Sequence, residues 1–379
     1  MPQTRVRLAQ AGIVAAPFGA QAGQAPHNAS EVVALADSRF LFCDNNISDS
    51  LFEMRLDNKG DLTGPLIRHT ISGVSADFYE DFESMAAVSD SGREFLVLAT
   101  SFSLKIRDAH AKKKSLRGRR AIGRESLLRV TRTATRAHQA EIIPGFRTWL
   151  FENAPDLGRQ WRKSWRRIPD DGGVNVEGLA WNPLTKELLF GLRTPVLDGH
   201  PIILRVRVKD IGGIWNLNNF EMLPPVLLRL TPAAGERGIR TMEYDEASRR
   251  VLIVTGNATS GMKVPFELYA WDGNAQGHVH RFDGVRFDPR FRVEGVTPGS
   301  IDGRAALIFV DDRGGYQVLW SDDPRLSTMT VARAKRSSRA ANKRGARTTA
   351  KARARTSGKA RAATKRSPRP RRSTKRRRQ

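Results

Sequence analysis

Cysteine is nearly missing from this chain of 379 residues, because Cys43 is the only one. A single cysteine excludes an intrachain disulfide, and nothing in its use indicates an oxidising compartment. Long apolar runs are missing too, which excludes a membrane-spanning helix. The N-terminal stretch has two early arginines, but Gln10, Gly12 and Pro17 interrupt its apolar part. We therefore predict that residues Thr4–Gln10 form a first β-strand and not part of a signal peptide. We therefore expect a cytoplasmic protein with no membrane association.

Motifs of nucleophilic and nucleotide chemistry are also missing. The sequence contains no G-x-S-x-G elbow, no P-loop and no dinucleotide-binding fingerprint. Cys43 lies in an apolar run, where a thiol is usually inert. The seven histidines show no spacing with Ser and Asp that indicates a catalytic triad. These absences argue against a Ser or Cys nucleophile, and leave open an enzyme that uses metal-activated water.

Acidic residues are absent from one part of the chain only. Of the 64 Lys and Arg residues, 21 lie between Ala332 and Gln379, where none of the 39 Asp and Glu residues is found. The rest of the chain keeps 43 basic against 39 acidic residues, a net charge of +4 out of the total +25. The high pI of about 11.1 therefore comes from the C-terminal segment and not from the body of the protein.

The C-terminal segment lacks aromatic and large aliphatic residues beyond Val331, so we predict that it is disordered. Alanine with scattered cations resembles the tails of histone-like bacterial proteins. A dense run of cations favours nucleic acid or polyphosphate as partner, bound through phosphates without reading bases, and a nucleoid-associated location. The alternative is a segment that only improves solubility. The predicted nucleic-acid-binding residues are Lys335, Arg336, Lys343, Arg344, Lys351, Arg353, Arg355, Lys365, Arg366, Arg371, Arg372, Lys375, Arg376, Arg377 and Arg378.

The body of the chain repeats a strand–turn–strand pattern. Five segments share a short apolar strand, a turn rich in Asp, Ser, Asn or Gly, and a strongly apolar strand, and a third strand often follows. The segments begin at Asn28, Asp81, Asn175, Gly238 and Arg292. This pattern predicts an all-β fold, a single β-propeller-like domain of five or six blades, with Thr4–Gln10 pairing to the last blade to close the ring.

One interval between repeats is too long for a single blade. The excess includes a run with helical spacing of Ile143, Phe146, Trp149 and Leu150, bounded by prolines. We interpret it as a helical insertion at about residues 141–167. The predicted domains are a propeller-like domain over residues 1–324 that contains this insertion, and a disordered Lys/Arg/Ala-rich tail over residues 325–379.

Charged residues recur where the first strand of each repeat begins. Because the innermost strands of a propeller line the central channel, these side chains should converge near one mouth of it. The predicted ligand-binding or inter-blade residues are Glu31, Glu83, Glu177, Arg193, Arg240 and Glu294. Either they pair with one another and fix the spacing of the blades, or members left unpaired bind a cation or a small polar ligand.

Oxygen-rich side chains follow one apolar strand, at Asp44, Asn45 and Asn46. They would suit a divalent cation such as calcium. The commoner role of such a sequence is a loop held by side-chain to backbone hydrogen bonds. We therefore predict no cofactor, with calcium as the alternative, and no catalytic residues are assigned.

An ordered set of motifs, EGLA, GLRTPV, GIR and LYAWDG, resembles an uncharacterised bacterial propeller-like family, a domain of unknown function. The resemblance spans roughly Val6 to Trp320, departs at Met85, Thr241 and Val296, and excludes the basic tail. That family is distantly similar to esterase-like phytase propellers. We expect a non-enzymatic propeller that binds an unknown ligand and is tethered to nucleic acid or another polyanion by its tail. The alternative is a metal-dependent hydrolase of phosphate or carboxylic esters, with its site at the channel mouth.

Overall fold

The structure, a computed structural model, describes residues 13, 16–18, 26–105, 120–133, 136–230, 236–260, 264–326 and 329–331. The chain divides into two units, Met1–Ala334 and Lys335–Gln379. The second unit lies outside the described residues, and so does the predicted first strand Thr4–Gln10. The predicted disorder of the basic tail therefore stays a prediction.

The described strands form five blades, each an antiparallel sheet of four strands in which chain neighbours pair. The first blade has Ala29–Ala36, Arg39–Asp44, Ser50–Arg55 and Ile67–Ser72. The second has Phe82–Asp90, Arg93–Thr100, Leu127–Thr131 and Ala137–Ile143. The third has Asn175–Asn182, Glu187–Thr194, Ile202–Val208 and Phe220–Leu227. The fourth has Arg237–Asp245, Arg250–Asn257, Glu267–Trp271 and Val279–Phe282, and the fifth has Val293–Ile301, Arg304–Asp311, Gly315–Trp320 and Ala16–Pro17.

The five blades form a closed ring in chain order. The first strand of each blade, its inner strand, contacts the inner strands of the blades before and after it, and the fifth contacts the first. In the described residues the hydrophobic core is divided among five clusters, each between two neighbouring blades. Phe42 of the first blade and Ile308 of the fifth, for example, share one cluster. This arrangement is a five-bladed β-propeller, and it confirms the predicted all-β propeller fold.

An N-terminal strand completes the last blade. Ala16–Pro17 pairs antiparallel with Tyr316 and Gly315 of the fifth blade. The next residue, Phe18, stacks on Phe42 of the first blade with ring centroids 4.8 Å apart. The described closing strand therefore lies after the predicted Thr4–Gln10. This strand covers an edge that the fifth blade would otherwise expose.

The helical insertion connects the second and third blades, as predicted. It contains the helices Phe146–Asn153 and Arg159–Ser164 and a 3₁₀ turn at Pro169–Asp171. The first residues of the predicted range, up to Ile143, belong instead to the outer strand Ala137–Ile143, where they pair with Leu127–Thr131. The strand ends at Pro144, and Gly145, at a positive φ of 72°, then turns the chain into the first helix.

Buried contacts hold the insertion against the propeller. Phe146 and Leu150 are fully buried in the core between the second and third blades. Arg147 lies between them on the same helix, and its guanidinium donates to the carbonyls of Phe102 at 2.7 Å and Trp165 at 2.6 Å. Burial lowers the pKa of Arg147 to about 10, so the side chain stays charged at neutral pH. The insertion is therefore part of the packed domain.

Two strand pairings were not predicted from the sequence. The outer strands of the first and second blades pair in parallel, Thr70–Ser72 with Ala137–Gln139. The short strand Met329–Val331 pairs with the outer strand of the fourth blade. This second strand follows residue 324, the predicted end of the propeller domain, and lies before the segment without acidic residues.

Glycine permits a close approach of backbones where the fifth blade meets the first. Gly295 is on the inner strand of the fifth blade, and a Cβ atom added there would lie 2.9 Å from the backbone nitrogen of Val32 and 3.0 Å from Cα of Glu31. Both atoms belong to the inner strand of the first blade. Only a residue without a side chain fits this contact, because backbone atoms cannot move aside as a flexible side chain can.

Replacing Gly295 with alanine should therefore lower the free energy of unfolding by about 1–3 kcal/mol, because the new methyl group pushes two blades apart. The matched control is Gly64→Ala, since an added Cβ at Gly64 meets no atom within 4 Å. The control should change stability by less than about 0.5–1 kcal/mol. Denaturant unfolding of the two variants measures both values, and equal stabilities would contradict the close packing of these strands.

Candidate functional site

Each inner strand carries a β-bulge near its start. In four blades the residue left without a cross-strand partner at the bulge is charged: Glu83, Glu177, Arg240 and Glu294. In the first blade that residue is Ser30. A bulge turns one side chain away from the alternating pattern of its strand. The five bulges thus direct one residue per blade toward the axis at the same end of the channel, which we call the bulge mouth.

Glu177 is the centre of an ion network at the bulge mouth. Its Oε1 accepts from Arg193 Nη1 at 2.8 Å and from the amide of Asn175 at 2.8 Å. Its Oε2 lies 3.0 Å from Arg240 Nη1, an ion pair whose geometry does not fit a hydrogen bond. Nη2 of Arg240 binds Glu294 of the fifth blade. One network therefore joins the third, fourth and fifth blades.

The charges in this network offset one another although they are buried. Glu177 is 3% exposed and Arg240 is 7% exposed. Burial lowers the pKa of Arg240 to about 10, and Glu177 opposes that shift, so the guanidinium is charged at neutral pH. Burial also acts to lower the pKa of Arg193, but the Glu177 carboxylate outweighs it and the net shift is upward. Buried charges are tolerated only when they are paired in this way.

Glu83 is the exception among the charged bulge residues. It is half-buried, and in the described part of the chain its carboxyl group has no ion pair or hydrogen bond. Desolvation, with the nearby carboxylates of Asp81 and Glu177, raises the pKa of Glu83 well above its usual range, although Arg240 and Arg193 oppose the shift. Glu83 therefore holds a proton to higher pH than an ordinary glutamate does, and in that form it can both donate and accept a hydrogen bond.

The sequence did not indicate the partner of Asp81. Its carboxylate lies 3.1 Å from Nη1 of Arg124. Asp81 has a positive φ of 62° and immediately precedes the inner strand, two residues before Glu83. The closeness of these two acids in the sequence was the available signal, but Arg124 is distant in sequence, beyond residues 106–119, which lie outside the described residues. This pair leaves Glu83 as the carboxyl group without a partner on that side.

Glu31 is not equivalent to the other predicted carboxylates. The residue at the bulge of its strand is Ser30, so Glu31 occupies the position of Gly178, Thr241 and Gly295 in other blades. Its Oε1 accepts from Thr241 Oγ1 at 2.7 Å and from the amide of Val296 at 3.3 Å. Burial raises the pKa of Glu31 well above its usual range. Glu31 thus links the first, fourth and fifth blades through hydrogen bonds.

A cavity of about 730 Å³ opens beside the network. Arg193 and Arg240 line it, together with Arg292 and Asp312, whose nearest polar atoms are 3.3 Å apart. Ser260 adds a hydroxyl group to the rim. Three guanidinium groups against one carboxylate make the cavity positively charged. Five apolar residues form much of the remaining wall: Val264, Pro265, Phe266, Phe287 and Pro289.

The predicted calcium loop is held by its own hydrogen bonds. Asp44 Oδ2 accepts from the backbone amides of His27 and Asn28, both at 2.8 Å. Asp44 Oδ1 accepts from the amide of Asn46 at 2.8 Å, and the side chains of Asn28 and Asn45 are bonded to each other. Among the described residues no three His, Cys, Asp or Glu side chains are grouped as metal ligands.

Some predictions concern residues outside the described ranges. The predicted nucleic-acid-binding residues, Lys335 to Arg378, lie outside the described residues. No helix in the described ranges is long and apolar enough to span a bilayer.

The strand pairing and the ring of bulge residues define the class of this protein as a β-propeller with a polar channel mouth. Residues 157–288 match the sequence profile of a family described as Protein of unknown function (DUF3616). This segment contains the motifs EGLA, GLRTPV, GIR and LYAWDG, so the predicted resemblance to a propeller-like family of unknown function is confirmed there. No curated protein matches the sequence.

Solved structures align with the chain loosely. The WD40 β-propeller domain of Doa1 is 12% identical, with 85% of this chain and 72% of that chain covered and a TM-score of 0.30. A glucose dehydrogenase is 15% identical, with coverage of 79% and 84% and a TM-score of 0.32. A thermostable family-43 glycoside hydrolase is 8% identical, with coverage of 83% and 96% and a TM-score of 0.41. Similarities this weak decide nothing about activity.

Glu177 and Glu83 occupy the same bulge position in neighbouring blades and should respond differently to the same substitution. Glu177→Gln should lower the free energy of unfolding by about 3–5 kcal/mol, because it leaves two buried arginines without their shared carboxylate. Glu83→Gln should change it by less than about 0.5 kcal/mol, because in the described residues the carboxyl group of Glu83 has no ion pair or hydrogen bond to lose. Denaturant unfolding compares the two, and similar losses in both variants would contradict the network.

Proposed function

We propose that this protein is a non-enzymatic binding platform that holds a small polar ligand at the bulge mouth and binds nucleic acid, or another polyanion, through its basic C-terminal segment. The observation that carries the first part is the uneven pairing of the bulge residues. Glu177, Glu294 and Arg240 are engaged with one another, whereas Glu83 has no such partner. The paired members fix the blades, and the remaining carboxyl group is available to a ligand.

The surroundings of Glu83 favour a polar ligand. The carboxyl group of Glu83 has no ion pair or hydrogen bond in the described residues, and the charges of Arg193 and Arg240 act on it from nearby. Both arginines also line the cavity of about 730 Å³, which has the size of a small-molecule site. A ligand with an anionic or hydrogen-bonding group would contact the arginines in the cavity, and it would reach Glu83 only by extending beyond the lining residues. No observation in the described residues favours the metal-dependent hydrolase over this platform.

The second part of the proposal is supported by the charge of the C-terminal segment. It carries 21 cations and no acidic residue, and it follows the last described strand, which ends at Val331. The propeller body has a net charge of only +4, so the polyanion would bind the segment and not the blades. Without aromatic side chains for stacking, the contacts would go to phosphates. A protein bound to nucleic acid in this way would be cytoplasmic and associated with the nucleoid.

If about 6–10 of these cations contact phosphates, affinity for duplex DNA or RNA should fall roughly 10³–10⁵-fold between 50 and 200 mM salt. Removing residues 332–379 should abolish this binding and leave the propeller folded, because the described strands end before the deletion. The measurement is a salt titration of binding by the full chain and the truncated chain, with DNA, RNA and polyphosphate as separate probes. The run Lys112–Arg120 can add a weak residual affinity.

Two control chains separate charge from sequence. A full-length chain with the C-terminal residues in shuffled order should bind as the natural one does, since phosphate contacts need charge and not order. A chain with Gln in place of each Lys and Arg of the segment should behave like the truncated protein. Equal binding by the full and truncated chains, or none by the full chain at 50 mM salt, would refute the role of the segment.

A further inference from the structure

The other end of the channel contains a second, chemically different cavity. The inner strands run from the bulge mouth to this end, which we call the far mouth. The cavity has a volume of about 690 Å³, and every blade contributes to its lining. The contributing residues include Leu35, Ala87, Trp181, Glu243 and Pro298. A space enclosed by all five blades has the size and position of a ligand site.

The walls of the far mouth are mostly apolar. Tyr244, Phe282 and Leu307 line the side between the fourth and fifth blades, and Leu326 lies beside them. Apolar and aromatic walls bind the hydrophobic part of a molecule, since removing that part from water is favourable. The occupant of the far mouth therefore has an apolar body.

Glu243 is a buried acid without a partner in this apolar cavity. Its side chain is only 8% exposed, and in the described residues neither an ion pair nor a hydrogen bond to its carboxyl group is found. Desolvation, with a smaller contribution from Glu246, raises the pKa of Glu243 well above its usual range. Buried polar groups are normally bonded, so an unpartnered carboxyl group among the residues that line a cavity points to a ligand.

The charges around the cavity favour a cationic ligand. Glu94 and Arg132 neutralise each other across 2.7 Å. The charged residues that remain in the lining are Glu243, Asp245, Glu246 and Arg250. Even with Glu243 left aside, the two acids Asp245 and Glu246 outnumber the one base Arg250, so the field at the far mouth attracts a positive charge.

We propose that the far mouth binds a protonated amine on an aromatic or aliphatic body, with Glu243 as its carboxylate partner. The ammonium group would form an ion pair with Glu243 in a low dielectric, where such a pair is strong. The aromatic rings of the wall would favour the same charge through their faces. Any proton that Glu243 carries leaves to solvent when the amine binds, so charge is balanced. This site does not depend on the ligand of the bulge mouth.

Tyramine is a suitable probe, because it has an amine, an apolar ring and one oxygen atom. Calorimetric titration of the full chain at pH 7 should show that tyramine binds at least about tenfold more tightly than para-ethylphenol, which lacks the amine. The anion para-hydroxyphenylpropanoate should bind most weakly. Titrations in two buffers of different ionisation enthalpy, at the pH where Glu243 titrates, should report net release of protons on tyramine binding, since the ammonium group favours the carboxylate form.

Glu243→Gln should reduce tyramine affinity at least about tenfold and abolish proton release. The control, Glu152→Gln, alters an exposed acid of the helical insertion that does not line the cavity, and it should change affinity by less than about threefold. Equal affinity for tyramine and para-ethylphenol, no tyramine binding at about 1 mM, or unchanged binding by Glu243→Gln would each overturn the proposal. The comparison of probes and the proton release use the natural chain, so they decide the question even if Glu243→Gln does not fold.

Discussion

The buried carboxylate of Glu177 is the interaction on which the arrangement of the channel depends. One oxygen contacts Arg193 from its own blade, and the other contacts Arg240 from the next blade, which in turn binds Glu294. A hydrophobic interface fixes how closely two blades pack, but it is not directional. A carboxylate shared by two guanidinium groups fixes direction as well, because planar, charged hydrogen-bonding groups accept few geometries. The bulges make this possible by turning one residue of each inner strand toward the axis.

The two ends of the channel therefore differ in chemistry. At the bulge mouth the side chains are charged and mostly bonded to one another, and Glu83 stands apart from them. At the far mouth the walls are apolar, and Glu243 is buried without a partner. Between the two mouths, the hydrogen bonds of Glu31 with Thr241 and Val296 connect three blades. Rigid inner strands with distinct ends suit a protein that binds molecules, because such a scaffold holds its sites without rearrangement.

Much of the fold was predictable because each blade repeats local signals. Apolar strands, polar turns and a charged residue at a fixed place in each repeat predicted the blades. A run with helical spacing between two repeats predicted the insertion. A closing strand near the N-terminus was predicted, but its described position at Ala16–Pro17 and the pairing of Thr70–Ser72 with Ala137–Gln139 were not, because contacts between distant strands leave no local pattern.

The site was predictable only in part. Glu83, Glu177, Arg240 and Glu294 were aligned correctly, but Glu31 was aligned by its charge, whereas the residue at its bulge is Ser30. A one-residue offset in a strand reverses the direction of the side chain, and a bulge cannot be read from composition. Glu243 was missed because it stands in an apolar strand, TMEYD, where it resembles an ordinary surface residue of an alternating pattern. Its burial depends on the neighbouring blade.

The most direct test of this account is a double-mutant cycle between Glu177 and Arg240, with Glu177→Gln and Arg240→Met. If the two side chains form the ion pair that links the third and fourth blades, the double variant should be more stable than the sum of the single losses predicts, by about 1–3 kcal/mol. The reference pair is Arg304 and Asp322, an exposed ion pair on the fifth blade, whose coupling should be below about 1 kcal/mol. Additive losses at Glu177 and Arg240 would contradict the central role of the network.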